Sequence, residues 1–209
     1  FAANAGKKAG EFYTPHEVSL LMSEITAHEL KHKDKIEIYD PTSGSGSLLI
    51  NIGNSVAKHA KSKDDIKYYA QELKESTYNL TRMNLIMRGI LPDNITTRNG
   101  DTLEDDWPYF DESDPMATYQ PLYVDAVVLF RGGEEGEIRT QLIENNHIDT
   151  IIGLPANIFF GTGIPTVILV LKQKRENTDI LIVDASKHFI KEGKNNKLQA
   201  SDIKRITDV

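Results

Sequence analysis

The sequence predicts an α/β fold, a three-layer sandwich around a mostly parallel, doubly wound sheet, and three observations carry that prediction. Apolar strand patterns alternate with helical ones from Ile36 onward, the order that builds parallel sheets through crossover helices. The first strand runs straight into a glycine–serine turn and a new apolar helical pattern, IEIYDPTSGSGSLL over residues 36–49. Three successive strands end in an acid, at Asp40, Glu72 and Asp101. In a parallel sheet these ends share one edge, the edge at which open α/β sheets bind ligands.

Each element follows from its residues. Residues 1–10 are small and basic and read as a loop. In GEFYTP, residues 10–15, Thr14 can cap the helix that Pro15 opens, and Val18, Leu21, Met22 and Ile25 mark its apolar face. The end of that helix carries His28-Glu29-Leu30-Lys31-His32, which matches the zinc-protease pattern H-E-x-x-H. We read the match as chance, because lysines crowd it, strand one starts at Ile36 and no third ligand is suggested. No metal site is expected. Alternating apolar residues around Glu37 form strand one, and Pro41 then bars a further ladder hydrogen bond.

A helix follows over residues 48–60 and a second strand over residues 66–73, with Glu72 at its end. Residues 76–88 read as a helix with Leu80, Met83, Asn84 and Met87 on one side, ended by Gly89. Strand three, residues 95–99, leads into Gly100-Asp101-Thr102-Leu103. Residues 104–120 are polar and acidic and read as a surface loop, and YVDAVV, residues 123–128, as strand four. A helix over residues 133–146 and strands over residues 148–154, 166–172 and 180–184 complete the sheet. The glycine-rich loop of residues 155–165, around Phe159 and Phe160, reads equally as a packed connection. Lys187, Lys191, Lys194 and Lys197 make a basic stretch, more usually a solvated face than a phosphate contact.

The glycine turn indicates the kind of ligand. Gly44 and Gly46 let the backbone approach a bound group, and N–H groups at the following helix start face it. The turn has G-x-G without the third glycine of a dinucleotide loop, and it lacks the Gly-Lys-Ser/Thr of a phosphate loop. Asp40, just ahead of the glycines, would repel a pyrophosphate but suits a ligand with a positive amino group, such as the methionine end of S-adenosylmethionine. Glu72 ends strand two, where doubly wound folds hold ribose hydroxyls, and its two oxygens suit two adjacent hydroxyls.

Composition sets the bounds. With 209 residues, one domain is expected over the whole chain. Hydrophobic residues make up 39% and charged residues 26%, which is ordinary for a globular core. The chain has no cysteine, so disulfides and thiolate metal sites are excluded, which fits the cytoplasm. No apolar run reaches membrane length. A net charge of −7 argues against a free-standing nucleic-acid binder; any basic surface for DNA is local or comes from a partner.

DPTSGSGSLL, with GEFYTP some way before it, resembles the modification (M) subunit of type I restriction–modification systems, which are S-adenosylmethionine-dependent DNA adenine-N6 methyltransferases with a Rossmann-like fold. The resemblance continues through QEL, NGDTL, VDAVV, LFRGG, IIGLPANIFFGTGIPT and DASKHF, and so covers nearly the whole chain. It implies that Glu11, Phe12, Tyr13, Thr14 and Pro15 touch the methionine end of the cofactor, together with Asp40, Thr42, Ser43, Gly44, Ser45 and Gly46. It places Glu72 at the ribose, Asp101 and Thr102 beside the adenine, and the loop of residues 155–165 near the target base. It also implies double-stranded DNA, a specificity subunit, a second M subunit and a restriction subunit as partners.

The chain departs from the family after YVDAVV. There the family carries Asn-Pro-Pro-Tyr or Asn-Pro-Pro-Phe, whereas here Leu129-Phe130-Arg131-Gly132-Gly133 follows and no Pro-Pro pair occurs anywhere. That loop accepts the two amino hydrogens of the flipped adenine, localises its lone pair and stacks on the base. No catalytic residue is therefore assigned in this chain. The sheet also needs a further helix and strand at this point, so the expectation is that a stretch with the catalytic loop is missing between Val128 and Leu129. A second reading keeps the cofactor and drops the chemistry: a methyltransferase-like scaffold subunit without activity of its own.

Overall fold

A computed structural model of the chain describes residues 14–30, 33–58, 63–104, 126–130, 136–160 and 162–209. Its contacts divide the chain into a continuous unit, Ser23–Leu122, and a split unit made of Phe1–Met22 with Tyr123–Val209. The first helix, α1 (His16–Leu30), starts in the residues of the split unit and ends in those of the continuous one.

The continuous unit is a parallel sheet with crossover helices. Strands β1 (Ile36–Asp40), β2 (Ile66–Glu72) and β3 (Ile95–Asn99) lie in the order β1-β2-β3. Both pairings are parallel, with Asp40 opposite Ala70 and Glu72 opposite Asn99. The connections are α2 (Ser47–Val56) and α3 (Glu75–Met87). The core lies between sheet and helices. Ile36 and Ile38 of β1 and Ile66, Tyr68 and Ala70 of β2 face Leu49, Ile52 and Val56 of α2, with Leu85 and Ala27 added from α3 and α1. The two periods, 2 along the strands and 3.6 along the helices, are those that bury one face of each. Contact at Gly53 of α2 is the closest: a Cβ built there would stand 2.1 Å from the Tyr68 hydroxyl oxygen.

One helix face differs from the expectation. The sequence groups Leu80, Met83, Asn84 and Met87, yet Met83 is 51% and Met87 75% exposed. Thr81 and Leu85 turn inward instead. The physical reason is polar, since the Thr81 hydroxyl is held by oxygens of the glycine turn.

In the split unit, strands β4 (Ala126–Phe130), β5 (Ile148–Gly153), β6 (Val167–Leu171) and β7 (Leu181–Asp184) form a sheet in the order β4-β6-β5-β7, with helix α4 (Gly136–Glu144) between β4 and β5. β5 and β7 are parallel, and β6 runs antiparallel to both its neighbours. Strand four was expected at residues 123–128. Residues 123–125 lie outside the described residues, and the strand continues past Val128 through Leu129 and Phe130. Five consecutive apolar residues, AVVLF, form one uninterrupted ladder with β6, Val128 opposite Leu169 and Leu129 opposite Ile168.

Asn146 ends α4 with φ 55°, and the turn is closed by the His147 N–H donating to the Leu142 carbonyl at 2.8 Å. Beyond β7 the structure adds a small hairpin, β8 (Ile190–Glu192) with β9 (Asn195–Lys197), and helix α5 (Ala200–Thr207). The sequence reading saw only a basic stretch there. Helix α5 is announced by a capping box of Gln199 and Asp202 and buries Ile203 and Ile206. No helix among the described residues is long and apolar enough to cross a membrane.

Arg175 pins this unit's connections. Its side chain is 4% exposed. Nε donates to Asp149 Oδ1 at 3.3 Å, Nη1 to Asn146 Oδ1 at 2.7 Å, and Nη2 to Asn177 Oδ1 at 3.2 Å and to the Asp179 carbonyl. A planar five-donor fork fits this set and an ammonium does not. Arg175→Lys is therefore expected to lower stability by about 2 kcal/mol, read as a shifted urea midpoint. An unchanged midpoint would remove the clamp from the account.

Candidate functional site

The ends of β1, β2 and β3 meet the glycine turn in the continuous unit. Asp40 closes β1 and is buried, at 9% exposure. Its Oδ1 accepts the Thr42 N–H at 3.0 Å. Burial lifts its pKa from 3.8 to about 6, the Thr42 hydrogen bond opposes the rise, and the Glu72 charge adds to it. Gly44 and Gly46 both take positive φ, 55° and 76°. Gly46 is the N-cap of α2, in a left-handed conformation that a Cβ would strain. The first N–H groups of α2 have no partner within the helix and open toward the turn.

Glu72 is not a free strand-end carboxylate. Its Oε2 accepts the Gly44 N–H and its Oε1 the Lys74 N–H, each at 3.0 Å. Each oxygen keeps a second lone pair, so two ribose hydroxyls remain within its capacity. The turn after β3 is drawn to the same place. Asn99 donates to the carbonyls of Glu72 and Leu73 at 2.7 and 2.9 Å, and the Thr102 hydroxyl donates to the Pro41 carbonyl. Asp101 uses Oδ1 on the Leu103 N–H at 2.9 Å, in a local turn. Asp40, residues 42–46, Glu72, Asp101 and Thr102 thus belong to one unit.

The remaining residues predicted for the site belong to the split unit or lie outside the described residues. Glu11, Phe12 and Tyr13 lie outside the described residues. Thr14 and Pro15 belong to the split unit, where the Pro15 carbonyl accepts the Ser19 N–H at 3.0 Å at the start of α1. In the same unit the loop of residues 155–165 is closed by the Leu154 N–H on the Thr166 carbonyl at 2.9 Å. Asn196 of β9 braces it by donating to the Ala156 carbonyl at 2.7 Å, and Phe159 is buried while Phe160 is 38% exposed. Of the basic stretch, Lys197 is bound to both oxygens of Glu192, at 2.9 and 3.1 Å. His28 and Glu29 are exposed at the end of α1, and His32 lies outside the described residues.

The sequence reading missed the residues that hold the turn. Thr81 of α3, 1% exposed, donates to the Gly44 carbonyl at 2.6 Å and lies 3.2 Å from the Ser43 hydroxyl. Asn84, one turn on, donates to the Ser45 carbonyl at 2.8 Å. Gln71 accepts the Tyr39 hydroxyl at 2.7 Å through its side chain, and its carbonyl accepts the Ser43 N–H at 2.9 Å. The available signal was the T-x-x-N spacing, which puts two polar groups on one helix face.

A model of the family described as N-6 DNA Methylase matches residues 1–121 and 121–209. The chain belongs to the N-6 DNA methylase family. Within it, the methylase subunit of the type I restriction enzyme MpnII of Mycoplasma pneumoniae is 33% identical, over 100% of this chain and 48% of that protein. The MjaVIII methylase subunit of Methanocaldococcus jannaschii is 28% identical, over 95% of this chain and 44% of that protein. The solved methyltransferase subunit of a type I restriction-modification system from Streptococcus thermophilus superposes with a TM-score of 0.83 at 34% identity, over 99% of this chain and 54% of that one.

This N-6 DNA methylase chain therefore spans about half the length of the relatives it matches. The match to the MpnII subunit runs over 268 residues and this chain has 209, so that relative carries dozens of residues with no counterpart here. The fold is the Rossmann-like α/β fold that solved methyltransferases share, one of them described as S-adenosylmethionine-dependent. The site fits that cofactor on its own terms: a buried acid kept partly protonated by burial and by a second carboxylate is stabilised by an incoming ammonium group.

Proposed function

We propose that this chain is the cofactor-binding part of a cytoplasmic DNA adenine-N6 methyltransferase, the modification subunit of a type I restriction–modification system. The observation that carries the proposal is the meeting of Asp40, Glu72 and Asp101 around a glycine turn held open by its neighbours. In this reading Asp40, with the turn of Thr42, Ser43, Gly44, Ser45 and Gly46, holds the methionine ammonium group. Glu72 accepts from the ribose hydroxyls, and Asp101 with Thr102 accepts from the adenine amino group. Glu11, Phe12, Tyr13, Thr14 and Pro15 complete the methionine side. Bound there, the cofactor supplies an electrophilic methyl group.

The acceptor side needs the Asn-Pro-Pro-aromatic loop, and we place it in a stretch between Val128 and Leu129 that these 209 residues lack. The surplus length of the MpnII relative supports the existence of such a stretch. Duplex DNA is the substrate, read by a specificity subunit, with a second M subunit and a restriction subunit completing the assembly. The net charge of −7 gives this chain little attraction of its own to phosphates. One observation favours the scaffold reading instead: β4, Ala126–Phe130, runs without a break through Val128 and Leu129.

Calorimetry is expected to show one S-adenosylmethionine bound per chain, with an affinity that falls about tenfold on Glu72→Ala. Labelled methyl is expected to reach adenine in duplex DNA only from a chain that carries Asn-Pro-Pro-aromatic after Val128. Absence of cofactor binding overturns the proposal. Methyl transfer by the 209 residues alone overturns the placement of the catalytic loop.

A further inference from the structure

We infer that Thr81 and Asn84 of α3 are positioning residues for the cofactor: they fix the carbonyls of Gly44 and Ser45 so that the Ser45 N–H and Asp40 stand ready for the methionine end. The inference rests on the cofactor reading above and names residues that neither the glycine motif nor the strand-end acids contain.

The argument starts from what a turn with two left-handed glycines would do unaided. Gly44 and Gly46 sample both signs of φ at little cost, so the turn they flank is intrinsically soft. A ligand that has to order it loses affinity in doing so. Here the turn is held from two sides. On the strand side, the Ser43 N–H donates to the Gln71 carbonyl and the Gly44 N–H to Glu72. On the helix side, Thr81 donates to the Gly44 carbonyl and Asn84 to the Ser45 carbonyl. Holding the Gly44 carbonyl toward α3 turns the Ser45 N–H, in the same peptide plane, the other way. The Gly46 N–H, in the plane of the Ser45 carbonyl, closes the turn on the Ser43 carbonyl at 2.7 Å. Thr81 also acts through its methyl group. A Cβ at Gly46 would lie 3.2 Å from Thr81 Cγ2, so the helix packs directly on the residue that starts α2.

The two side chains are chemically suited to this work and poorly explained otherwise. A threonine 1% exposed in the middle of a helix needs hydrogen-bond partners, and its Oγ1 takes both the Gly44 carbonyl and, at 3.2 Å, its own helix's Thr77 carbonyl within reach. An asparagine is a weak helix former, yet Asn84 sits one turn after Thr81 with its amide aimed at the same turn. Glu72 is unsuited to test the idea, because its carboxylate faces both the turn and the proposed ribose position.

The test uses calorimetry well below the thermal midpoint, with two ligands on the same protein. S-adenosylmethionine carries the amino-acid end; 5′-methylthioadenosine keeps the nucleoside and lacks that end. Thr81→Val and Asn84→Leu are each expected to weaken S-adenosylmethionine about tenfold, while methylthioadenosine changes by less than about twofold. Thr81→Ser, which restores the hydroxyl, is expected to recover S-adenosylmethionine affinity. Unchanged S-adenosylmethionine affinity in both variants overturns the inference, and so does an equal loss for the two ligands, which would mark a general loosening of the unit. Failure of the unmodified protein to bind S-adenosylmethionine is a separate outcome and overturns the cofactor reading itself.

Discussion

Asp40→Asn will weaken S-adenosylmethionine binding by about tenfold to a hundredfold at neutral pH, the range for a lost hydrogen bond between charged groups in a partly desolvated site. The same carboxylate makes binding depend on pH. In the free protein its pKa stands at about 6, because burial and the nearby Glu72 charge disfavour ionisation more than the Thr42 N–H favours it. The cofactor's ammonium favours the ionised form, so affinity is expected to rise with pH up to about 6 and to level off above it. Below that point each pH unit costs about a factor of ten, as one proton must leave.

Stability of the free protein runs the other way. A native pKa raised above the unfolded value of 3.8 means that the native state binds the extra proton between about pH 3.8 and 6. The stability due to that proton is fully present below 3.8 and is lost as pH rises through about 6. The shift corresponds to roughly 3 kcal/mol. Denaturation at a series of pH values, with and without cofactor, separates the two trends. If Asp40→Asn binds as well as the unmodified protein, or if its stability follows the same pH curve, the carboxylate is not the ammonium's partner.

The largest effect on stability is expected at Gly53→Ala. The added methyl carbon would lie 2.1 Å from the Tyr68 hydroxyl oxygen and 2.7 and 2.8 Å from two ring carbons. Tyr68 is only 6% exposed and belongs to the central strand of its sheet, so the ring has nowhere to go without moving α2 or β2. Overpacking of this kind costs about 3 kcal/mol, or about 10 °C in the midpoint of a chain this size. Adding Tyr68→Phe removes the nearest atom and is expected to recover part of the loss. Thermal unfolding of the single and double variants decides the matter, and a single variant as stable as the parent would mean that α2 rests farther from the sheet.

The parts that were legible in the sequence share a cause. Strands β1 and β2 pair apolar alternation with a closing acid, and β3, ITTRN, is marked by the Gly100-Asp101 that follows it, so Asp40, Glu72 and Asp101 could be placed at strand ends before any contact was known. The glycine turn was legible because positive φ selects glycine. What stayed hidden depends on pairs far apart in sequence. Thr81 and Gly44 are separated by 37 residues and Asn84 and Ser45 by 39, and no local pattern tells a threonine that points at a turn from one that points at water. The helix face around Met83 and Met87 was misread for the same reason: the hydrogen bonds of Thr81 to the glycine turn outweighed the methionines. The hairpin of β8 and β9 escaped because three-residue strands carry no measurable period.

The division of the chain has a consequence for its synthesis. The elements of Ser23–Leu122 follow one another without interruption, so this unit has every one of its partners once Leu122 has emerged. The other unit must wait: its opening segment, Phe1–Met22, is separated from Tyr123–Val209 by some hundred residues, a loop whose closure costs about 4 kcal/mol in an open chain. Folding the intervening unit first shortens that loop to the distance between its ends. At about 5–20 residues per second, the continuous unit has seconds to form on the ribosome before its companion is complete. The turn of Gly44 and Gly46 is thus set in place first, and the half of the chain that contains residues 155–165 assembles afterwards.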